Sequence, residues 1–445
     1  MSIVQTSKLL HLPVVLLRDI FEENGLAAIF NLRLVSRACR LESSFLFFRS
    51  VALTDSSHVA KTMSLDLVKR LSNDHDAVSR YMRHLQVGPF RDEKWFSLDI
   101  ILPALESIIP GARHLQSLTW KTNIPIIAEH LQAFQKHHSH AKLYVINHDR
   151  GFNPIARDLL SSPRLHTLDT PILYRDRWGS LQSQLHIVKR CLMQGNSIKV
   201  LRLRFKDVTS TSPWMDDDFQ DWQGASQGPC NFHWQNGDYL PALEELSVNP
   251  ECYLFTSDDC AMWAKVMDWS NLRRLELYQG APRHLLLALT NKVPNLEYLQ
   301  CGINSTATWH PLDTGLHILT DFIASITALQ EITFRTTKYS DLMDTLTIVL
   351  QRHGKTLRRL DLSCPSFDSK QWLPNQYVQV LKQVPELETF RVELNNTTAT
   401  GRWDGETKKL VRWQKYETLA WTKRLRPAED RPFFIRDDGL DLRGI

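Results

Sequence analysis

Apolar residues recur along this chain as a triplet spaced i, i+3, i+5. Full copies in the first half are Phe48/Val51/Leu53, Met82/Leu85/Val87, Leu115/Leu118/Trp120, Ile198/Leu201/Leu203 and Leu243/Leu246/Val248. Later copies are Leu272/Leu275/Leu277, Leu296/Leu299/Cys301, Leu329/Ile332/Phe334, Leu357/Leu360/Leu362 and Leu387/Phe390/Val392. Two partial copies, Leu143/Val145 and Leu165/Leu168, each lack one apolar member. Middle residues fall at 51, 85, 118, 143, 168, 201, 246, 275, 299, 332, 360 and 390, in steps of 24 to 45 residues. The last two members, two apart, share one face of a short strand. The first member falls on the turn leading in and is expected to tuck under that strand. Between triplets the spacing becomes helical, as in Leu181/Leu185/Val188/Leu192, Leu319/Phe322/Ile323/Ile326 and Leu342/Leu346/Val349/Leu350. Helix start signals stand at Pro282, Asp313 and Ser340-Asp341. One strand and one helix leave an apolar face uncovered, so such units must stack.

The phrases PALEELSV, SNLRRLELY, PNLEYLQCG, KTLRRLDLS and PELETFRVE resemble leucine-rich repeats, over residues 45–400. The resemblance implies an irregular α/β solenoid, a horseshoe of short parallel strands and helices. Step length varies, and the family's asparagine after the third apolar position is mostly missing, Asn304 and Asn395 excepted. A doubly wound α/β enzyme is the competing architecture. Its strands are usually continuous apolar runs without a fixed lead-in leucine, so the triplet argues against it.

Two stretches break the rhythm. Residues 207–240 form a long polar insertion with Trp214, Trp222, Trp234 and the run Asp216-Asp217-Asp218. Insertions in repeat arrays map to one face, often the binding face, and aromatic anchors dominate hot spots. These three tryptophans are therefore the candidate target contacts. Residues 401–445 carry no triplet; RWDGETKKLVRWQKYETLAWTKRLRP reads as an amphipathic helix or closing cap, with its Lys and Arg in solvent.

Ahead of the repeats, residues 9–40 read LLHLPVVLLRDIFEENGLAAIFNLRLVSRACR. Leu12, Leu16, Leu17, Ile20 and Phe21 make one helical stripe with Pro13 in its first turn. Gly25 ends that helix, and Leu26, Ile29, Leu32 and Val35 follow. Helices this short leave apolar side chains uncovered, each worth roughly 1.5–3 kcal/mol on full burial, so the stripe wants a partner. Leu12-Pro13, Leu16-Leu17, Ile20-Phe21 and LRLVSRACR resemble the F-box, including the separation of fifteen from Ile20 to Val35. Asn24 and Cys39 depart from the family pattern. Over residues 8–44 the resemblance implies docking on a Skp-type adaptor through Leu12, Pro13, Leu16, Leu17, Ile20, Phe21, Leu32 and Val35. It further implies tethering to a cullin ligase core, with an unidentified protein substrate held by the repeats and no chemistry in the chain itself. A helical cap on the first repeat, in a stand-alone interaction scaffold, is the other reading of this segment.

Composition narrows the rest. A net charge of +4 over 445 residues gives no dense basic stripe, so no nucleic-acid partner is expected. No run approaches the roughly 18 apolar residues of a membrane span. Seven cysteines without a C-x-x-C pair read as buried thiols of a reducing compartment, cytoplasmic or nuclear. Gly224-Ala225-Ser226-Gln227-Gly228 matches the hydrolase G-x-S-x-G, but DDDFQDW before it and PCN after it supply neither the strand nor the helix that motif needs. His137, His138 and His140 lack neighbouring ligands at metal spacing and read as a solvated helix end. No metal or cofactor is expected, and no G-x-x-x-x-G-K-[ST] loop is present.

Overall fold

The computed structural model describes residues 34, 37–55, 57–73, 75–90, 99–146, 159, 162–173, 185–194, 197–206, 231–248, 253, 255–278, 280–303, 316–364, 384, 386–394, 397–403 and 410–417. Of these, residues 392–417 are described by backbone alone. The chain forms two compact units, 1–278 with 282–296, and 279–281 with 297–445.

The first unit holds strands β1 (Ser50–Leu53), β2 (His84–Val87), β3 (Ser117–Trp120), β4 (Lys142–Ile146), β5 (Leu165–Leu173), β6 (Val200–Lys206), β7 (Glu245–Val248) and β8 (Arg274–Glu276). Each strand pairs in parallel with the next in sequence. Its helices are α1 (Arg37–Phe47), α2 (His58–Leu71), α3 (Ala77–Tyr81), α4 (Leu102–Gly111), α5 (Ala128–His137), α6 (Leu185–Met193), α7 (Ser257–Val266) and α8 (Arg283–Leu289). The second unit has parallel strands β9 (Tyr298–Ile303), β10 (Glu331–Thr336), β11 (Arg359–Cys364) and β12 (Thr389–Leu394), with helices α9 (Leu316–Ser325) and α10 (Tyr339–His353). Parallel strands that advance one repeat at a time, alternating with helices, make this an α/β repeat arrangement. Among the described residues no helix is long and apolar enough to cross a membrane.

The triplet sets the register. Val51, Leu85, Leu118 and Leu143 lie opposite one another across β1 to β4, and Leu168, Leu201, Leu246 and Leu275 do so across β5 to β8. In the second unit Leu299, Ile332, Leu360 and Phe390 form the same ladder. Among the described parallel pairings, the slip falls between the two partial triplets: the pairing shifts after Leu143, so that Leu168 faces Val145. Lead-in residues Met82, Ile198, Leu243, Leu272, Leu296, Leu329 and Leu357 are all buried, as the spacing requires.

A repeated hydrogen bond explains why the lead-in stands at a fixed distance. The Arg49 carbonyl accepts from the N–H groups of Arg83 and His84, and the Arg83 carbonyl from those of Gln116 and Ser117. Lys199, Glu244, Glu297, Gln330 and Arg358 do likewise for the repeats that follow them. Each forked bond sets the next chain crossing at the same height, so the lead-in side chain enters the core at the same depth.

Residues 410–417 are not helical. Thr397–Trp403 (β13) and Leu410–Glu417 (β14) pair antiparallel, and β13 pairs antiparallel with β12. This corrects the helix reading of the segment after 400. The spacing of Leu410, Val411, Trp413 and Tyr416 suits a helix, but β13, itself paired on the edge of β12, offers LVRWQKYE the ladder partners that make it a strand.

Gly88 marks the end of β2 with φ +88. Its N–H donates to the Leu53 carbonyl and a Cβ there would penetrate the Lys121 carbonyl. Gly88→Ala is therefore expected to cost about 2–4 kcal/mol, the sum of a left-handed backbone and an overpacked neighbour. Urea unfolding should show a lower midpoint with an unchanged slope.

Candidate functional site

Within a triplet the residue between the two strand leucines points away from the helices. In β5, β6 and β8 these positions are Asp169, Arg202 and Glu276, with Ser247 in β7, and Arg204, Glu245 and Arg274 stand two residues away on the same face. Asp169 lies opposite Arg202, which lies opposite Ser247, which lies opposite Glu276. The Asp169 carboxylate meets Arg204 at 2.7 Å and Arg202 at 3.6 Å. Arg202 Nε also donates to Glu245 Oε1, and Arg274 bridges Glu245 at 3.6 Å and Glu276 at 2.7 Å. The Asp169 side chain is only 4% exposed. Burial raises its carboxyl above the ordinary value, while Arg204 and Arg202 pull it down. For Arg202 burial disfavours the charge, but Glu245 and Asp169 outweigh it and the net shift is upward. Lys121 is lowered by burial, with Asp169 opposing. A continuous, half-covered ion row on a sheet face offers planar, directional hydrogen bonding, the chemistry of protein recognition. Among the described residues no group of three or more His, Cys, Asp or Glu is placed to hold a metal.

An aromatic cluster packs around α7 and reaches the sheet at Phe205. Trp263 on α7 has ring centroids of Phe232, Trp234, Tyr253 and Trp269 between 5.6 and 5.8 Å from its own. Phe232 stacks on Trp234 at 4.5 Å. The Tyr253 hydroxyl donates to Asp259 Oδ2 at 2.9 Å and accepts from the Phe232 N–H at 3.1 Å. Burial pushes both the Tyr253 phenol and the Asp259 carboxyl up, while the hydrogen bond from Tyr253 draws the Asp259 carboxyl back down. Lys189 on α6 reaches Asp238 Oδ2 at 2.6 Å and the His233 carbonyl at 2.7 Å, with its ammonium 5.3 Å from the Trp234 ring centre. Residues 231–240, the end of the insertion, are thus pinned to α6 and α7.

Of the three candidate anchor tryptophans, Trp234 is 7% exposed and belongs to this cluster. Its ring was assigned to a partner because nothing in its local sequence distinguishes an anchor from a fold-back contact; here it holds the insertion's base. Trp214 and Trp222 lie outside the described residues, as do Ser226 and Leu12, Pro13, Leu16, Leu17, Ile20, Phe21, Leu32 and Val35. The histidine cluster divides. His137 and His140 are exposed, whereas His138 is buried with Nε2 2.6 Å from the Ile109 carbonyl, its pKa lowered by burial. That corrects the solvated-end reading for His138: it caps the neighbouring helix α4. Cys39, Cys191, Cys260, Cys301 and Cys364 are all buried, and burial pushes the Cys260 and Cys301 thiols up to about 12. The ion row was missed, although its signal was legible: Arg202, Ser247 and Glu276 each stand between two strand members of consecutive triplets.

No protein-family model matches the chain, and no curated protein matches it.

Proposed function

We propose that this chain is the substrate-recognition subunit of an SCF-type cullin ubiquitin ligase. It docks on a Skp-type adaptor through Leu12, Pro13, Leu16, Leu17, Ile20, Phe21, Leu32 and Val35 and presents a protein target to the ligase through its repeats. The observation that carries the reading is the F-box-like pattern of residues 9–40 running without a linker into α1 and β1. Support comes from α1 itself. Leu41 is 60% and Phe47 38% exposed, while Cys39 and Ser43 are buried. A helix with its large apolar groups outward and its small polar ones inward has a face that suits a partner.

The target surface in this reading is the ion row of β5 to β8 together with the insertion at 207–240. The chain contributes binding geometry; ubiquitin transfer belongs to other subunits. A stand-alone repeat scaffold, with the N-terminal segment serving as a cap, is the alternative.

The test is reconstitution with purified adaptor. A one-to-one complex is expected in size-exclusion chromatography with light scattering. Leu12→Ala combined with Pro13→Ala removes two apolar contacts of roughly 1.5–3 kcal/mol each, enough to weaken the complex by more than about a hundredfold. Thermal unfolding of the variant alone should match wild type. Wild-type chain that elutes alone in excess adaptor sinks the ligase reading and leaves the scaffold.

A further inference from the structure

His353, the last residue of α10, is buried and ties three elements of the second unit together. Its Nε2 lies 3.0 Å from the carbonyl of Ile323 on α9. Its Nδ1 lies 3.4 Å from the N–H of Leu329, the lead-in leucine of β10. Its own carbonyl accepts from the N–H groups of Thr356 and Leu357, the latter being the lead-in leucine of β11. Thr356 closes the loop by donating its hydroxyl to the Leu329 carbonyl at 2.8 Å.

Only one protonation state suits both ring contacts. In the neutral imidazole, a proton on Nε2 donates to the Ile323 carbonyl and leaves Nδ1 to accept from Leu329. The imidazolium donates from both nitrogens, so an N–H would then face the Leu329 N–H. Burial holds the ring's pKa below the ordinary histidine value; the Ile323 carbonyl opposes this, and Arg352, the charged group acting on it among the described residues, reinforces it. A depressed pKa leaves the contribution to stability intact above the unfolded histidine value, about 6.5, and removes it as the pH falls below that. His138 makes the same bond to a neighbouring helix in the first unit, from the residue that follows α5 to Ile109 near the end of α4.

We propose that His353 is an acid-responsive latch of the second unit: its protonation releases the Leu329 amide and loosens α9 and α10 from β10 and β11. This inference does not depend on the ligase reading.

Hydrogen exchange on the full chain at pH 7.5 and 5.0, corrected for the intrinsic pH dependence of exchange, tests it. Protection over residues 329–336 should fall at the lower pH, while residues 274–276 change less. His353→Gln keeps a donor and an acceptor on a group that does not titrate, so its protection over 329–336 should be the same at both pH values after correction. Retention of the acid response in His353→Gln overturns the latch. Should that variant fail to fold at pH 7.5, the wild-type comparison decides by itself. A loss over 329–336 that spares 274–276 supports the latch, and protection that is equal at both pH values, or lost equally at 274–276, overturns it.

Discussion

Replacing Trp263 with alanine should lower the stability of the first unit by about 3–5 kcal/mol, the range for truncating a fully buried tryptophan. The ring is 1% exposed and its removal strips one wall from Phe232, Trp234, Tyr253 and Trp269 together. Collapse into the space is hindered on two sides. The Trp263 carbonyl is fixed by the Trp269 indole N–H at 3.2 Å, and Tyr253 is fixed by Asp259 and the Phe232 N–H. Residues 231–240 lose most of their apolar anchorage, so their amides should exchange faster than those of β6, and limited proteolysis should cut there first. Lys189, which holds the same segment through Asp238 and the His233 carbonyl, should soften but not abolish the effect. Trp263→Phe, which keeps an aromatic wall, should cost less than half as much as the alanine variant by urea unfolding. Equal costs for the two would mean that the cluster's packing does not hold the insertion.

How far the sequence carried differs between the fold and the site. The strands were legible because burial imposes a strict local rule: Leu201 and Leu203 must share a face, and Ile198 must enter three residues earlier. Ladder pairing then turned a sequence rhythm into spatial register, and the slip among the described parallel pairings fell where Leu143 and Leu168 stood in incomplete triplets. Where pairing overrides local spacing, the reading failed. The apolar spacing of residues 410–417 suits a helix, and the strand is set by pairing with β13, which the segment's own spacing does not show. Trp234 failed for a related reason. Its partner Trp263 arrives from α7, and Phe232, two residues away, is itself packed on Tyr253, so only the fold assembles the cluster. The ion row was half legible. The alternation placed Arg202, Ser247 and Glu276 on one face, but that Arg204 would close on Asp169 from the next strand depends on side-chain geometry. His138 was misplaced because its acceptor, the Ile109 carbonyl, is 29 residues away.

The ion row bears on both stability and recognition, and Asp169 separates the two. Asp169→Ala removes the carboxylate that both Arg202 and Arg204 reach, leaving two partly covered guanidiniums on β6 without it. Removing one partner of a buried ion pair typically costs about 3–5 kcal/mol, because the opposing charge stays desolvated. Glu245 still neutralises Arg202, which places the expected loss at the lower end of that range. Asp169→Asn retains an acceptor of the same shape and should cost roughly 1–2 kcal/mol. A double-mutant cycle of Asp169→Ala with Arg204→Ala should return a coupling of roughly 0.5–3 kcal/mol. Strictly additive costs would mean that the two charges do not stabilise one another across β5 and β6. The same cycle divides scaffold from surface. A row that serves only the sheet predicts that Arg274→Ala, at the more exposed end with a side chain 33% accessible, changes neither stability nor target capture. If the row is the target's landing surface, Arg274→Ala leaves stability within about 0.5 kcal/mol of wild type and weakens capture of the target by the adaptor-bound chain, because a rim arginine contributes to association far more than to folding.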